Sequence, residues 1–410
     1  MRTLSSGFKI VISIMSTVSC LLAMACFSFA ADLNSAEPAT AEAQSQSATA
    51  AWRQFRFAAN GTRFNPYETI LSTHTVGGLQ LKWKYTTGPY PGVVSSPAVV
   101  NGVVYVGSED KNVYALDANT GTKLWNYTTG ANINYSSPAV VNGVVYIGSW
   151  DDNLYALNAK TGRKLGSFAT GFYIDSSPAV ANDVLYFGSA DTNLYALNAT
   201  TGAKLWTFNV HNGEMNDSPA VVNGVVYISA GLSVYAIDAT SGAQLWSSGN
   251  GSMIQSSPTV AGGAVYFGAD DPDGTIYALN ATTGAPIWTF PSGGVPTYST
   301  PAVAKGIVYV CVTMQGPFGY YGVVMALNAR IGAELWSYPT NGIIESSPAV
   351  ANGVVYVGSE DNNVYALDAS NGSLLWKYAT GAPVDSSPTV VNGMLYVGSG
   401  DRNVYAFGLN

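Results

Sequence analysis

The residues of this chain with chemistry to offer are mostly carboxylates, and they recur at regular places. Glu109, Asp110, Asp151, Asp152, Asp191, Asp270, Asp271, Asp273, Glu360, Asp361 and Asp401 sit in short polar stretches between apolar runs. Asp175, Glu214, Asp217, Glu345 and Asp385 lie in or just ahead of a recurring Ser-Ser-Pro-like tripeptide. The residue immediately before that tripeptide varies around otherwise uniform surroundings: Val94, Tyr135, Asp175, Asn216, Gln255, Tyr298, Glu345, Asp385. Asp217 replaces the first Ser of the fourth copy. Asp and Asn favour tight turns, and repetition copies them, which accounts for acids that recur uniformly. The irregular set is the candidate ligand-binding set. Carboxylates focused on one face attract a cation or a basic protein surface, and few cations answer them there, mainly Lys111 and Arg402.

Other chemistry is thin. His211, Glu214 and Asp217 fall within "HNGEMND", but a zinc site needs a more constrained scaffold. "DDPDG" (270–274) is oxygen-rich and sharply turned, yet lacks the spacing of a complete calcium loop. No Ser-His-Asp order and no phosphate loop stands out, so no catalytic residue is assigned. An insertion, "CVTMQGPFGYYG" (311–322), carries Phe318, Tyr320 and Tyr321. These rings either contact a partner or fold back on a neighbouring unit.

The elements that position these residues follow from repetition. Pro97, Pro138, Pro178, Pro219, Pro258, Pro301, Pro348 and Pro388 mark eight units at a period near forty, each with four short apolar runs. That is the pattern of a propeller blade. In the first unit "SSPAVV" is the innermost strand, "NG" a hairpin turn, "VVYVGS" and "VYALD" the middle strands and "KLWNY" the outer one. The middle strands are apolar on consecutive residues, which requires cover on both faces. Proline suits the innermost strand because one edge of that strand looks into the central channel. Trp125, Trp206, Trp246, Trp288, Trp336 and Trp376 close their units, and Gly166 takes that place in the second. A void there, or Phe168 leaning in, is expected. Turns between the middle strands share a face with the connections before each tripeptide, so the irregular positions ring the channel mouth.

The last unit, from Pro388, has three strands and no fourth; "LQLKWKYTTG" (79–88) is a fourth strand with no first three, and Trp83 fits the tryptophan place. The N-terminal strand should complete the last blade. The expectation is an all-β, eight-bladed propeller of four-stranded antiparallel blades over 79–410, with an N-terminal arm over 51–78.

The rest of the chain sets the context. Hydrophobic residues make up 47% and charged residues 10% of its 410, and the formal net charge is −8, which excludes a phosphate-backbone partner. Residues 1–31 read as an export signal, with Arg2 and Lys9, an apolar stretch and Ser28-Phe29-Ala30; the alternatives are a retained anchor and a lipoprotein site at Ala25-Cys26, which Ala23-Met24-Ala25 fit poorly. Residues 32–50 read as a flexible tether. Cys20 and Cys26 lie in the signal, leaving Cys311 alone and no disulfide in a mature chain.

The stretch "ALDANTGTKLW" (115–125) and its copies at 196–206, 236–246, 278–288, 326–336 and 366–376 resemble the tryptophan-docking repeat of the quinoprotein dehydrogenases. The segment from Trp52, "WRQFRFAANGTRFNP…LKWKYTTG", is similar to the lead-in of those enzymes. The resemblance implies an eight-bladed propeller, and in the enzymes of that family pyrroloquinoline quinone and calcium as cofactors. The family pattern also includes an adjacent cysteine pair and long insertions that build the quinone pocket. This chain has neither, and no catalytic, calcium-binding or quinone-binding residue of the family carries over. The same repeat builds non-catalytic propellers, among them the lipoprotein of outer-membrane β-barrel assembly.

These observations lead to an exported, periplasmic or extracellular, monomeric propeller with no transmembrane segment in the mature chain. It would bind a protein or small ligand through its acidic face. The alternative is an oxidoreductase using pyrroloquinoline quinone and calcium, and a third reading is an outer-membrane assembly factor.

Overall fold

The computed structural model describes residues 51–410 apart from 90, 91, 211, 212, 250, 297 and 318. The signal, the tether, His211 and Phe318 therefore lie outside the described residues. Eight antiparallel sheets follow one another around a ring. Blade one comprises Ala98–Val100, Val103–Gly107, Asn112–Asp117 and Lys123–Thr128, from the centre outwards. The strand Gln80–Thr86 pairs antiparallel with Asn403–Gly408, so the N-terminal strand does complete the eighth blade. The only helix among the described residues is one short 3-10 turn, Val76–Gly78.

Local sequence explains the blade. Asn101 and Gly102 both take positive φ, 51° and 75°, as a two-residue hairpin demands, and Asn142-Gly143, Asn223-Gly224 and Asn392-Gly393 repeat this. Val104–Gly107 and Val113–Leu116 are buried residue after residue, whereas Lys123–Thr128 buries mainly Trp125. Each sheet thus gives both faces of its middle strands to its neighbours.

Two sets of bonds fasten blade to blade. The Trp83, Trp125, Trp206, Trp246, Trp288 and Trp336 indoles each donate to an alanine carbonyl of the next blade, for example Trp125 Nε1 to Ala159 O at 2.9 Å. Trp376 instead reaches Leu79 O at 3.1 Å. Covering such a ring stabilises by roughly 2–3 kcal/mol. The next blade must supply glycine against it: Gly121 has φ +70°, and a Cβ there would stand 2.7 Å from the Trp83 ring. Nearer the axis, the second hydroxyl of seven of the tripeptides accepts the N–H of the equivalent residue in the preceding blade. Ser96 N to Ser137 Oγ and Ser387 N to Ser96 Oγ, both 2.9 Å, are two links of that belt. In blade two Phe168 keeps the place that Tyr127 holds in blade one. It packs on Tyr195 of the next blade at 5.2 Å, as Tyr127 packs on Tyr155 at 5.6 Å. It does not lean into the tryptophan place.

The inner strands do not face an open channel. Residues 51–65 circle inside the ring and meet every blade in order. Val99 exchanges two backbone hydrogen bonds with Trp52, and Val140 N–H donates to Arg53 O. Val180 N–H donates to Gln54 Oε1. Val221, Val260, Val303 and Val350 donate to the carbonyls of Ala59, Asn60, Thr62 and Arg63. Asn65 Nδ2 donates to Val390 O at 2.8 Å. Inner-strand N–H groups that a bare channel would leave to water are paired instead. Trp52 bridges blade one antiparallel while Phe64–Asn65 runs parallel to Ala349–Ala351. The arm therefore rises from the end carrying the Asn-Gly turns, circles, and returns to that end, where Glu68 accepts Gly393 N–H at 3.0 Å.

Candidate functional site

The acidic face divides into carboxylates that are committed to the fold and carboxylates that are not. Asp110, Asp151, Asp191, Asp361 and Asp401 belong to the first group. Each accepts the hydroxyl of the tyrosine four residues on, at 2.5–2.7 Å. Each also accepts the backbone N–H two residues on, at 3.0–3.1 Å. A third bond comes from a backbone N–H of the preceding blade, such as Gly171 N to Asp191 at 2.7 Å or Asn341 N to Asp361 at 3.0 Å. Burial pushes Asp361 and Asp401 up, but these donors outweigh it and hold both below the ordinary carboxylate range. The residues after the aspartates, Lys111, Asp152, Thr192, Asn362 and Arg402, take φ between 66° and 74°, which side chains other than glycine adopt at a cost. Aspartate's fan of hydrogen bonds offsets that cost, so turn chemistry accounts for these five acids. Asp271 of "DDPDG" is likewise engaged, by Asp273 N, Thr275 N, Thr275 Oγ1 and Tyr277 Oη.

The uncommitted group gathers at the mouth. Tyr135 precedes blade two and Tyr298 precedes blade six, on opposite sides of the ring. Their rings meet over the axis in a near-parallel stack, with centroids 6.3 Å apart and planes at 24°. Burial, then Glu345, Asp385 and Asp175, pushes the Tyr135 hydroxyl up, so all three carboxylates act on this one ring. Carboxylate oxygens of Glu345, Glu360 and Asp385 lie within 4.8 Å of one another. Burial and the Asp385 and Glu360 charges raise Glu345 to about 7. Burial and Glu360 raise Asp385 to about 6. Glu109 is raised by burial and by Asp385. Asp385 Oδ1 is buried with no hydrogen-bond partner, and so is Asn216 Oδ1.

Asp175 sits on the other side of the mouth. It accepts the Trp150 indole N–H at 2.6 Å, and burial raises it to about 6 despite that bond and one from the Tyr135 backbone. Trp150 packs on Tyr173, centroids 5.2 Å apart, and Tyr173 donates to Glu214, which also accepts Asn216 Nδ2. Gln255 is half-buried at the rim.

Asp217 is half-buried like Glu345 and Asp385 but is engaged by its own blade and the next, accepting Ser229 Oγ at 2.6 Å and Ser257 Oγ at 3.4 Å. In six other blades the first Ser of the tripeptide caps a glycine N–H, as Ser95 caps Gly107 at 3.1 Å. Blade four exchanges both members of the pair, Ser for Asp217 and Gly for Ser229. Burial raises Asp217 to about 6, with Arg56 and the two hydroxyls opposing. Burial lowers Arg56 to about 9, with Asp217 opposing. Arg56 donates to Pro258 O and Ser218 O, and Arg63 to Pro348 O, Pro388 O and Phe55 O. Two fully buried guanidiniums of the arm thus close the channel beneath the mouth. Their only sequence signal was a lead-in too rich in aromatic and cationic residues to be a tether.

The insertion of blade six is not a loop. Ile307–Gly316 and Gly319–Asn328 pair along their whole length, five residues beyond an ordinary blade such as Val354–Gly358, and rise about 16 Å above the face. Tyr320 points outward, 61% exposed. Tyr321 folds back on the core between blades five and six.

A closed ring of eight four-stranded sheets, with an acidic mouth and a self-inserted arm, defines the class of protein. Family models place it further. The model described as outer membrane protein assembly factor BamB matches residues 167–268, 230–342 and 320–409. The model described as glucose/ethanol/alcohol dehydrogenase, β-propeller domain, matches residues 52–175. The chain belongs to the PQQ-like family of eight-bladed β-propellers.

The relatives are mixed in kind. The dehydrogenase subunit of the quinone-dependent alcohol dehydrogenase of Gluconobacter oxydans is 36% identical over 76 residues, 18% of this chain and 10% of that protein. The quinohemoprotein alcohol dehydrogenase of Comamonas testosteroni is 35% identical over 66 residues, 16% of this chain and 9% of that protein. Among solved structures, the quinohemoprotein alcohol dehydrogenase ADHIIG of Pseudomonas putida HK5 superposes with TM-score 0.75 at 18% identity, covering 88% of this chain and 80% of that one. BamB of Moraxella catarrhalis superposes with TM-score 0.66 at 19% identity, covering 81% and 98%. The computationally designed protein Ika8 superposes with TM-score 0.68 at 19% identity, covering 79% and 98%. At such identities the likeness is one of fold alone. The curated relatives share with this chain only about a tenth of their own length.

Proposed function

We propose that this protein is an exported, non-catalytic binding module whose recognition site is the channel mouth. The observation that carries this reading is the division of the acids. Five turn aspartates are spent on the fold, whereas Glu345, Glu360 and Asp385 crowd together, with Glu345 and Asp385 raised by burial and neighbouring charge and one buried Asp385 oxygen unpartnered, and Asp175 is raised by burial across the mouth. Such an arrangement costs stability and is retained where a positively charged ligand or surface relieves it. Tyr320, on the raised hairpin beside the mouth, adds an exposed ring to the same face. The protein acts as a monomer in the cell envelope or outside the cell. No helix among the described residues is long and apolar enough to cross a membrane.

The dehydrogenase reading is supported by the match over residues 52–175. The residues at the mouth suit its two cofactors unequally. The three clustered carboxylates offer the hard oxygens calcium takes. A tricarboxylate quinone needs cations, and Arg56 and Arg63 are tied to backbone carbonyls beneath a mouth lined by acids.

Two experiments test the proposal. Titration of the purified protein with pyrroloquinoline quinone and calcium, followed by tryptophan fluorescence and melting temperature, should show no saturable quinone binding. Saturable, calcium-dependent quinone binding would replace the module reading with the oxidoreductase one. Crosslinking in envelope fractions should recover a partner with the wild-type protein and lose it with Glu345→Gln/Asp385→Asn; equal recovery by both would overturn the mouth as the recognition site.

A further inference from the structure

We propose that the mouth binds alkylammonium groups, carried by a free amine or by a lysine side chain. This names the ligand of the recognition site proposed above and rests on that reading.

Three independent features converge. The first is charge: Glu345, Glu360 and Asp385 crowd within 4.8 Å, and Glu109 senses the same field. The second is aromatic surface. Tyr135 and Tyr298 stack across the axis while remaining 48% and 56% exposed, and Trp150 stays 43% exposed although Asp175 fixes its indole. The face of such a ring carries the negative end of its quadrupole and attracts ammonium cations. The third is a surplus of acceptors: the unpartnered buried atoms Asp385 Oδ1 and Asn216 Oδ1 are both oxygens. Their complement must bring N–H donors.

These features select among ligands. An anion is repelled, and a neutral sugar relieves none of the charge. A bare divalent ion satisfies the carboxylates and ignores the rings. An alkylammonium group uses all three: charge against the carboxylates, N–H donors to the orphan oxygens, and methylenes and cation over the tyrosine faces.

The test is isothermal titration of the purified protein at constant ionic strength with spermidine, with a tetralysine peptide and with calcium chloride. Two double variants accompany it: Tyr135→Leu/Tyr298→Leu, which removes the faces but keeps apolar volume, and Glu345→Gln/Asp385→Asn, which keeps shape. Melting curves establish that both are folded. Spermidine should bind saturably, and each double variant should weaken it by about tenfold or more. Parallel binding of tetralysine assigns the lysine source as well, and binding of spermidine alone assigns the free amine. Binding of calcium alone, or spermidine binding indifferent to the tyrosines, overturns the ammonium inference and leaves the acidic recognition site standing. Failure of all three probes overturns the ammonium inference, and the crosslinking experiment above then decides the wider reading separately.

Discussion

Glu345→Gln should make the protein more stable at pH 8 and leave its stability at pH 4.5 unchanged. Glu345 is raised to about 7 in the folded protein by burial and by the neighbouring Asp385 and Glu360 charges. In the unfolded chain it titrates near the ordinary value of about 4.3. The folded state therefore holds a proton that the unfolded state has released across that interval. Stability from this group is full below the unfolded value and is lost as pH rises through the folded one. The difference corresponds to at most about 4 kcal/mol, and partial exposure to solvent reduces it to about 1–2 kcal/mol. Gln has the same shape and no charge to desolvate, so the variant recovers that amount at pH 8. In a domain of this size that is a rise of about 2–3 °C in melting temperature. Thermal and urea unfolding of both proteins at pH 4.5 and pH 8 measure it. Equal stabilities at pH 8, or a less stable variant, would refute the claim that the mouth holds uncompensated charge. Asp385→Asn, by the same reasoning, should gain stability above pH 6.

Other outcomes follow from the ring. Tyr356 is fully buried and its hydroxyl has no partner, whereas Tyr309 donates to Ala369 O at 3.1 Å. Tyr356→Phe should be neutral or stabilising by up to about 1 kcal/mol and Tyr309→Phe destabilising by about 1 kcal/mol, read from urea midpoints. Trp52 is fully buried and begins the arm's circuit, so Trp52→Ala should cost about 3–5 kcal/mol in the same assay. Asp217→Ser leaves Ser229 where six other blades have glycine. Adding Ser229→Gly restores the repeat, and the double variant should melt closer to wild type than either single one.

The ring was legible because its physics repeats. Continuous apolar runs, Asn-Gly turns and the half-blade at each end determined blade number, strand order and closure, and Trp83 against Ala118 bears out the splice. The arm's route was hidden because it is written once and its partners lie up to 325 residues away, as Asn65 to Val390 shows. The division of the acids was legible in part: the irregular position before the tripeptide singled out Asp175, Glu345 and Asp385, but Glu360 was read with the turn acids beside Asp361. Only the tyrosine and backbone donors around Asp361 separate those two. Asp217 and Ser229 carried a readable sign, a paired departure twelve residues apart. Tyr356 lacks its acceptor in the one blade pair where the alanine after the third strand is replaced, by Leu409, which packs on the core between blades seven and eight.

Mouth carboxylates and turn carboxylates of the same repeat live in opposite environments. Carboxyl-carbon NMR titration of the labelled protein measures this most directly, with Glu345→Gln, Asp385→Asn and Asp361→Asn used for assignment. Glu345 should titrate near 7 and Asp385 near 6, while Asp361 and Asp401 should titrate below the ordinary aspartate range. If all four titrate together at ordinary values, the mouth holds no focused field and the case for it as the recognition site is lost.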